Sequence, residues 1–262
     1  MLTLPVIMVA YHLLKINNQK TIMKKLVTLS LVLCSVIATA QWGKKVKGNG
    51  KIATIERSVG DYDAITLAGW FDVKLVDGKE GELLLKGEEN LLKYIKTEVK
   101  SGKLVIKVEK GVNLKPSSWK SGIHITVPVK SIDMLSLSGS GDIVGDTKIK
   151  SDNFKTNMSG SGDITIAIEA SSVEATLSGS GDINLSGKTK NLDIRVSGSG
   201  DVKAYNLNAE YVNAQVSGSA DIKVTAKQQL KARVSGSGDI TYKGNPKKVE
   251  SKTAGSGDIS SY

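Results

Sequence analysis

The sequence predicts an all-β protein, a right-handed parallel β-solenoid (β-helix) with coils of about 19–20 residues. Three observations predict this fold: a Ser-Gly-Ser-Gly-Asp phrase occurs in seven close copies, the copies are almost evenly spaced, and apolar and polar residues alternate between them. The composition agrees, because a chain with 27 glycines, two phenylalanines and four prolines is typical of short strands and tight corners.

The N-terminus is expected to be removed before folding. From Met23, two lysines precede an apolar run at 26–37, and the small residues ending at Ala40 resemble a signal-peptide cleavage site. A second apolar run lies within 1–22, so a two-helix membrane anchor is the alternative. Cleavage after Ala40 would also remove Cys34, and the exported chain would then fold without disulfides.

The expected organisation has four parts. These are an N-terminal extension plus signal peptide at 1–40, a flexible lead-in at 41–50, a first coil with a capping excursion at 51–130, and the tandem solenoid at 131–262. The stretch 67–73, "LAGWFDV", is a degenerate copy of the repeated phrase. After it, the sequence predicts a strand, a short helix near 88–95, a hairpin that turns at Ser101 and Gly102, and a strand within 122–129.

The repeat itself is defined by its aspartates, which are separated by 21, 19, 19, 20, 18 and 19 residues. This period is too short for a propeller blade and fits one coil of a solenoid. If coils stack, the apolar positions form vertical columns, and stacking buries what one coil cannot bury alone. The aspartates are Asp142, Asp163, Asp182, Asp201, Asp221, Asp239 and Asp258. The expected columns are Leu137, Met158, Leu177, Val196, Val216, Val234; Ile143, Ile164, Ile183, Val202, Ile222, Ile240, Ile259; and Phe154, Val173, Leu192, Val212, Leu230, Val249.

The repeated phrase is interpreted as a corner. Glycine supplies backbone angles that the turn needs, and Ser and Asp side chains can accept hydrogen bonds from the N–H groups of the turn. A stack of aspartates would repel by about 1 kcal/mol per neighbouring pair in water, so each carboxylate must contact its own corner N–H groups or a cation. Calcium is therefore a possible ligand of the aspartate column, with Ser and carbonyl oxygens completing the site.

An exported chain with an early Gly-Trp-Phe-Asp-Val copy followed by tandem Ser-Gly-Ser-Gly-Asp-Ile units resembles the putative auto-transporter adhesin, head GIN domain family. The resemblance covers about 55–260. It implies a β-helical extracytoplasmic protein of the cell envelope of Gram-negative bacteria and brings no catalytic residues with it.

Other candidate site residues are few. His124 alternates with isoleucines and is expected to face solvent, whereas Arg195 and Arg233 occupy equivalent outward positions with Gln215 between them, a ladder that could hold an acidic sugar. Trp70, Phe71 and Trp119 could form a sugar- or protein-binding patch, and the alternative is that they plug the end of the solenoid.

The sequence argues against several classes of function. Removal of 1–40 would lower the net charge from +10 to +6, and lysines are scattered among acidic residues, so nucleic-acid binding has no support. No phosphate loop, zinc-ligand spacing or recognisable nucleophile occurs. We therefore expect a non-catalytic binding or envelope scaffold protein, located in the periplasm, on the outer surface or outside the cell, with a surface glycan or protein as partner. A polysaccharide-acting enzyme and a structural protein that self-associates through its solenoid ends are the alternatives.

Overall fold

The structure is a computed structural model and describes residues 43–118 and 121–262. Residues 45–262 form one compact unit. The elements are β1 (Lys44–Lys47), β2 (Ile52–Ser58), β3 (Ala64–Gly69), β4 (Asp72–Asp77), β5 (Glu82–Glu88), α1 (Glu89–Leu92), β6 (Ile95–Lys100), β7 (Lys103–Val108), β8 (Val112–Lys115), β9 (His124–Val129), β10 (Met134–Gly139), β11 (Ile143–Gly160), β12 (Ile164–Gly179), β13 (Ile183–Gly198), β14 (Val202–Gly218), β15 (Ile222–Gly236), β16 (Ile240–Lys243), β17 (Lys248–Gly255) and β18 (Ile259–Ser261). The predicted signal peptide, the earlier apolar run, Cys34 and Trp119 lie outside the described residues.

The repeats form a parallel β-solenoid of about seven turns, as the spacing predicted. Strands β10 to β15 each pair in parallel with the next, and the register places equivalent repeat residues on one another. Leu177, for example, lies between Met158 and Val196. The all-β class and the coil period are therefore confirmed, and the right hand of the coil stays a prediction.

The three predicted apolar columns form the core. Their members are buried in every coil except the last, where Val249 is exposed and Ile259 is half-buried. Burial of one such side chain stabilises the fold by about 1.5–3 kcal/mol. Because each coil adds several of these residues, the columns supply a continuous core without a disulfide.

The corners need glycine at two positions for two reasons. The first corner glycine of each repeat has φ between +126° and +155°, a range that residues other than glycine rarely adopt. The second has no room, since a Cβ on Gly200 would lie 2.0 Å from the carbonyl oxygen of Gly181 in the preceding coil. Corner N–H groups also bond between coils: the Ser199 and Gly200 N–H groups donate to the Gly179 carbonyl at 3.0 and 3.2 Å.

The degenerate copy at 67–73 forms a true corner. Leu67 stacks on Leu137, and Val73 stacks on Ile143. The Ser140 N–H donates to the Gly69 carbonyl at 3.1 Å, which repeats the bond that joins later corners. Trp and Phe can therefore replace Ser and Gly in this first coil without loss of the inter-coil pairing.

The excursion after the first coil consists of strands, one short helix and a hairpin. Strand β5 precedes the one-turn helix α1, and the hairpin of β6 and β7 turns at Ser101 and Gly102, both of which have positive φ. Strands β7 and β9 extend the parallel stack beneath β3 and β4. Strand β5 pairs antiparallel with β2 and β9, so the chain leaves the solenoid pattern at this end.

The lead-in differs from the prediction. Instead of a wholly flexible segment at 41–50, the structure has strand β1 paired with β8. The backbone N–H of Gly48 donates to the carbonyl of Lys115 at 2.8 Å, and Asn49 donates to the side chain of Glu89 at 2.9 Å. These bonds explain why the segment has a defined structure, because they give its polar backbone groups partners. The pattern of charges in the sequence cannot reveal such partners.

The last coil is polar where earlier coils are apolar. Strand β17 pairs with β15, and Ser251 and Thr253 lie in register with the buried Ala232 and Val234. All eight residues of β17 are exposed. The polar residues of β17 therefore end the apolar columns at this end of the solenoid.

Candidate functional site

Two outward faces flank the column of corners. The face before the corner carries serines and a short run of amide and guanidinium side chains; we call it the serine–arginine face. Each column repeats once per coil, at the spacing of neighbouring strands, about 4.8 Å. The face consists of Ser138, Ser159, Ser178, Ser197, Ser217 and Ser235, with Thr176, Arg195, Gln215 and Arg233 beside them.

The predicted Arg195–Gln215–Arg233 ladder exists. The three residues are direct neighbours in the register of β13, β14 and β15 and line a shallow groove of about 300 Å³. Arg195 is already paired, with Glu174 at 3.3 Å and Asp193 at 2.9 Å. Among the residues that the structure describes, no carboxylate lies within 4.0 Å of Arg233. Arg233 is thus the guanidinium of this ladder that is available to an external anion.

The aspartate column forms a hydrogen-bonded ladder between coils. The Asp182 N–H donates to Oδ1 of Asp163 at 2.8 Å, the Asp201 N–H to Oδ1 of Asp182 at 3.0 Å, and the Asp221 N–H to Oδ1 of Asp201 at 2.9 Å. The expectation that each carboxylate contacts its own corner was wrong. In a stacked coil the corner N–H groups point along the solenoid axis, so the acceptor must belong to the adjacent coil.

This ladder leaves little capacity for a cation. Each Oδ1 from Asp142 to Asp239 is used by an N–H group, and Oδ2 of Asp182 binds the ammonium of Lys203. Burial would raise the pKa of Asp182, but the hydrogen bonds from Lys203 and from the Asp201 N–H outweigh burial and lower it. Within 43–118 and 121–262, no group of three or more His, Cys, Asp or Glu side chains is placed to hold a metal ion.

Of the three predicted patch aromatics, Trp70 and Phe71 lie within the described residues. Phe71 is 1% exposed and lies in the core, with its ring against the backbone of Gly69. Trp70 is half-buried, packs against the core and contacts Phe71 at a centroid distance of 6.0 Å. The corner of Trp70 also lies four coils from Arg195, roughly 19 Å at the usual strand spacing. Trp70 and Arg195 therefore do not belong to one site.

His124 is exposed, as expected, but it has a partner. It lies beside Asp72 in the register of β9 and β4, and its Nδ1 is 3.5 Å from Oδ2 of Asp72. This arrangement continues the corner column by one step and provides no nucleophile or second base. It offers no catalytic constellation.

Sequence reasoning missed the buried carboxylate of Glu88. Its Oε2 accepts the Gly50 N–H at 2.7 Å, and its Oε1 accepts the Ser117 N–H at 2.7 Å. Burial opposes ionisation of Glu88, but these backbone hydrogen bonds outweigh burial and lower its pKa. Glu88 thus joins the lead-in to the loop that follows β8, a role that no local pattern could indicate.

The described residues contain no helix with the length and apolarity needed to cross a membrane.

Several solved structures have a fold similar to the one described above. A putative adhesin from Bacteroides fragilis NCTC 9343 is 24% identical with a TM-score of 0.77, over 83% of this chain and 100% of that one. From Parabacteroides distasonis ATCC 8503, a putative lipid binding protein (28% identical, TM-score 0.66) and a putative adhesin (25%, 0.67) each match 84% of this chain and 100% of their own.

No curated protein matches the chain significantly. A protein-family model matches residues 61–246, which include the first coil, the excursion and most of the repeats. The chain belongs to the putative auto-transporter adhesin, head GIN domain family.

Proposed function

We propose that this protein is an exported, non-catalytic adhesin-like module that binds a surface glycan through the serine–arginine face. The observation that carries the proposal is the Arg195–Gln215–Arg233 ladder beside a column of stacked serines. Hydroxyl, amide and guanidinium groups repeated at strand spacing match the hydroxyl and carboxylate groups of an extended saccharide. Family membership and the β-solenoid fold support an adhesin-like binding role.

Export is supported by the signal-peptide pattern that begins at Met23. It gives the protein access to envelope or extracellular partners, and fractionation of a tagged chain would identify the compartment. A non-catalytic role is supported by the surroundings of His124, whose neighbour is a corner aspartate. The excursion at 78–130, with its antiparallel strands, is suited to cap the solenoid, and a cap of this kind would protect open strand edges.

Glycan binding tests the proposal directly. Residues 41–262 should bind anionic glycans in a panel that also contains neutral ones, and binding should weaken with salt. Arg233→Gln should reduce binding, because it removes the guanidinium without a carboxylate partner. Lys190→Gln is the matched control, since Lys190 is exposed and lines a different groove. Full binding by Arg233→Gln would contradict this site, and cleavage of any glycan would favour the polysaccharide-acting enzyme instead.

A further inference from the structure

On the other side of the corner column, the outward face carries a basic groove that the family assignment does not explain. The groove has a volume of about 430 Å³, and its walls include Asn184, Lys203, Tyr205 and Lys223. Asn184, Lys203 and Lys223 are consecutive in one outward column of β13, β14 and β15. We name it the lysine–tyrosine groove.

The two lysines have different surroundings. Lys203 is hydrogen-bonded to Oδ2 of Asp182, which raises the pKa of Lys203. Lys223 lies one strand away, and in the described part of the chain no carboxylate lies within 4.0 Å of its ammonium. Like charges on adjacent strands destabilise each other. Because Lys203 already pairs with Asp182, Lys223 is the ammonium of the groove that an external carboxylate can pair with.

Tyr205 is brought to the groove by an irregularity of strand β14. Between Lys203 and Asn206, β14 has two residues, Ala204 and Tyr205, where β13 has one, and residues 205–207 are extra relative to β15. The Tyr205 carbonyl accepts the hydroxyl of Thr225 at 2.7 Å, which fixes the bulge. A β-bulge re-aims a side chain, and bulges are frequent next to functional sites.

The ring of Tyr205 contacts a cation and a second aromatic ring. Lys243 Nζ is 4.3 Å from the ring centroid of Tyr205 and 4.3 Å from that of Tyr262. The two rings are 5.7 Å apart at 56°. These contacts fix the position of Tyr205, which lines the groove together with the two lysines. An aromatic residue beside ammonium groups is a combination that suits the apolar face and the acidic group of one sugar ring.

We infer that the lysine–tyrosine groove binds a carboxylated saccharide, an inference that rests on the proposed glycan-binding function and adds a second site and a ligand class. An extended acidic peptide fits less well, because β13, β14 and β15 have both edges paired and offer no free edge for strand addition. An acyl chain fits less well too, since ammonium, amide and hydroxyl groups lie among the lining residues, and the aliphatic ones, Ile166 and Leu185, are buried in the core.

The experiment uses residues 41–262 and trigalacturonic acid as the probe, measured by calorimetry. Lys223→Gln should weaken binding by about tenfold, the effect expected when one charge-assisted hydrogen bond is lost. Its melting temperature should stay the same or rise slightly, because Lys223 has no ion pair within the described residues to lose and its removal takes away the repulsion with Lys203. Lys190→Gln should bind this probe as the unmodified chain does, and the methyl-esterified trisaccharide should bind much more weakly.

Each other outcome overturns the inference in a distinguishable way. If Arg233→Gln loses binding and Lys223→Gln keeps it, the saccharide binds on the serine–arginine face and only the groove assignment fails. Equal binding of the methyl ester refutes the carboxylate, and preference for phosphatidylglycerol vesicles that is lost in Lys223→Gln identifies a lipid headgroup instead. If trigalacturonic acid does not bind while other glycans do, the inference alone fails. If no glycan binds, the proposed function fails with it.

Discussion

Replacement of Gly198 by alanine tests how tightly the corners are packed. Gly198 has φ of +136°, and an ideal Cβ on it would lie 2.3 Å from the carbonyl oxygen of Gly179 in the preceding coil. The carbonyl oxygen belongs to the backbone, so it cannot move aside as the end of a flexible side chain could. The methyl group can therefore be accommodated only if the two coils separate or the corner changes conformation.

The expected cost follows from two separate effects. A residue held in a glycine-only conformation costs about 1–3 kcal/mol, and overpacking against fixed neighbours costs about 1–3 kcal/mol. Gly198→Ala should thus lower the free energy of unfolding by roughly 2–6 kcal/mol. Gly200→Ala should cost less, about 1–3 kcal/mol, because Gly200 does not have positive φ and suffers only the 2.0 Å contact with the Gly181 oxygen.

Urea denaturation of residues 41–262 measures these differences. Circular dichroism and tryptophan fluorescence should be compared, because repeat proteins can unfold in more than one step. Gly60→Ala is the matched control: no atom lies within 4 Å of the added Cβ, and Gly60 is not among the residues with positive φ, so stability should stay the same or rise slightly. If Gly198→Ala unfolds at the same urea concentration as Gly60→Ala, the inter-coil contact argument is refuted.

Two further predictions concern carboxylates. Glu88→Gln should lower stability at pH 7 by about 2–3 kcal/mol, because one of its two N–H donors then faces an amide nitrogen. The folded-state pKa of Glu88 lies below its ordinary value of 4.5, so its contribution is present above pH 4.5 and is lost as pH falls through the folded pKa; the difference between the two proteins should shrink in acid, and a constant difference would contradict this. Asp201→Ala should lower the free energy of unfolding by about 1–2 kcal/mol, because the hydrogen bond from the Asp221 N–H is lost. Asp201→Asn keeps an acceptor oxygen and should cost less than half as much in the same urea experiment. Equal stabilities for both variants and the unmodified chain would disprove the ladder.

The repeated sequence predicted the solenoid well because one period controls both chemistry and geometry. Leu177 and Val196 are nineteen residues apart and are both apolar, and parallel in-register stacking is the arrangement that buries such equivalent residues together. The same period predicted that Arg195, Gln215 and Arg233 would be neighbours. The sequence alone therefore shows which residues stack in the same column of the solenoid.

The corner chemistry was only half predictable. Serine, glycine and aspartate indicated a bend, but the same side chains can accept hydrogen bonds from their own turn or from another coil. The direction of the Asp201 carboxylate depends on where the N–H of Asp221 lies after stacking. Calcium was considered because sequence alone could not show that backbone N–H groups already use these oxygens.

Outside the repeats, prediction failed where partners are distant in sequence. Phe71 was a candidate surface aromatic, yet its ring fills space that the hydrogen atom of Gly69 leaves open. Glu88 looked like an ordinary surface carboxylate, but its partners come from segments on both sides of it in the chain. The coil that contains Tyr205 has one residue more than the coil before it. In the sequence this insertion is visible only as a twenty-residue step between Asp201 and Asp221.

The sequence by itself determined the architecture: a chain that repeats its apolar positions at a constant interval can bury them only by laying coil on coil, and glycine must occupy bends that allow no side chain. The tertiary structure alone decided which atoms meet across coils. It placed the aspartate oxygens on backbone N–H groups, left Arg233 and Lys223 without carboxylate partners among the described residues, and placed Tyr205 in one groove with two lysines. These contacts depend on register, bulges and axial stacking, which arise when distant segments pack and which no local run of residues specifies.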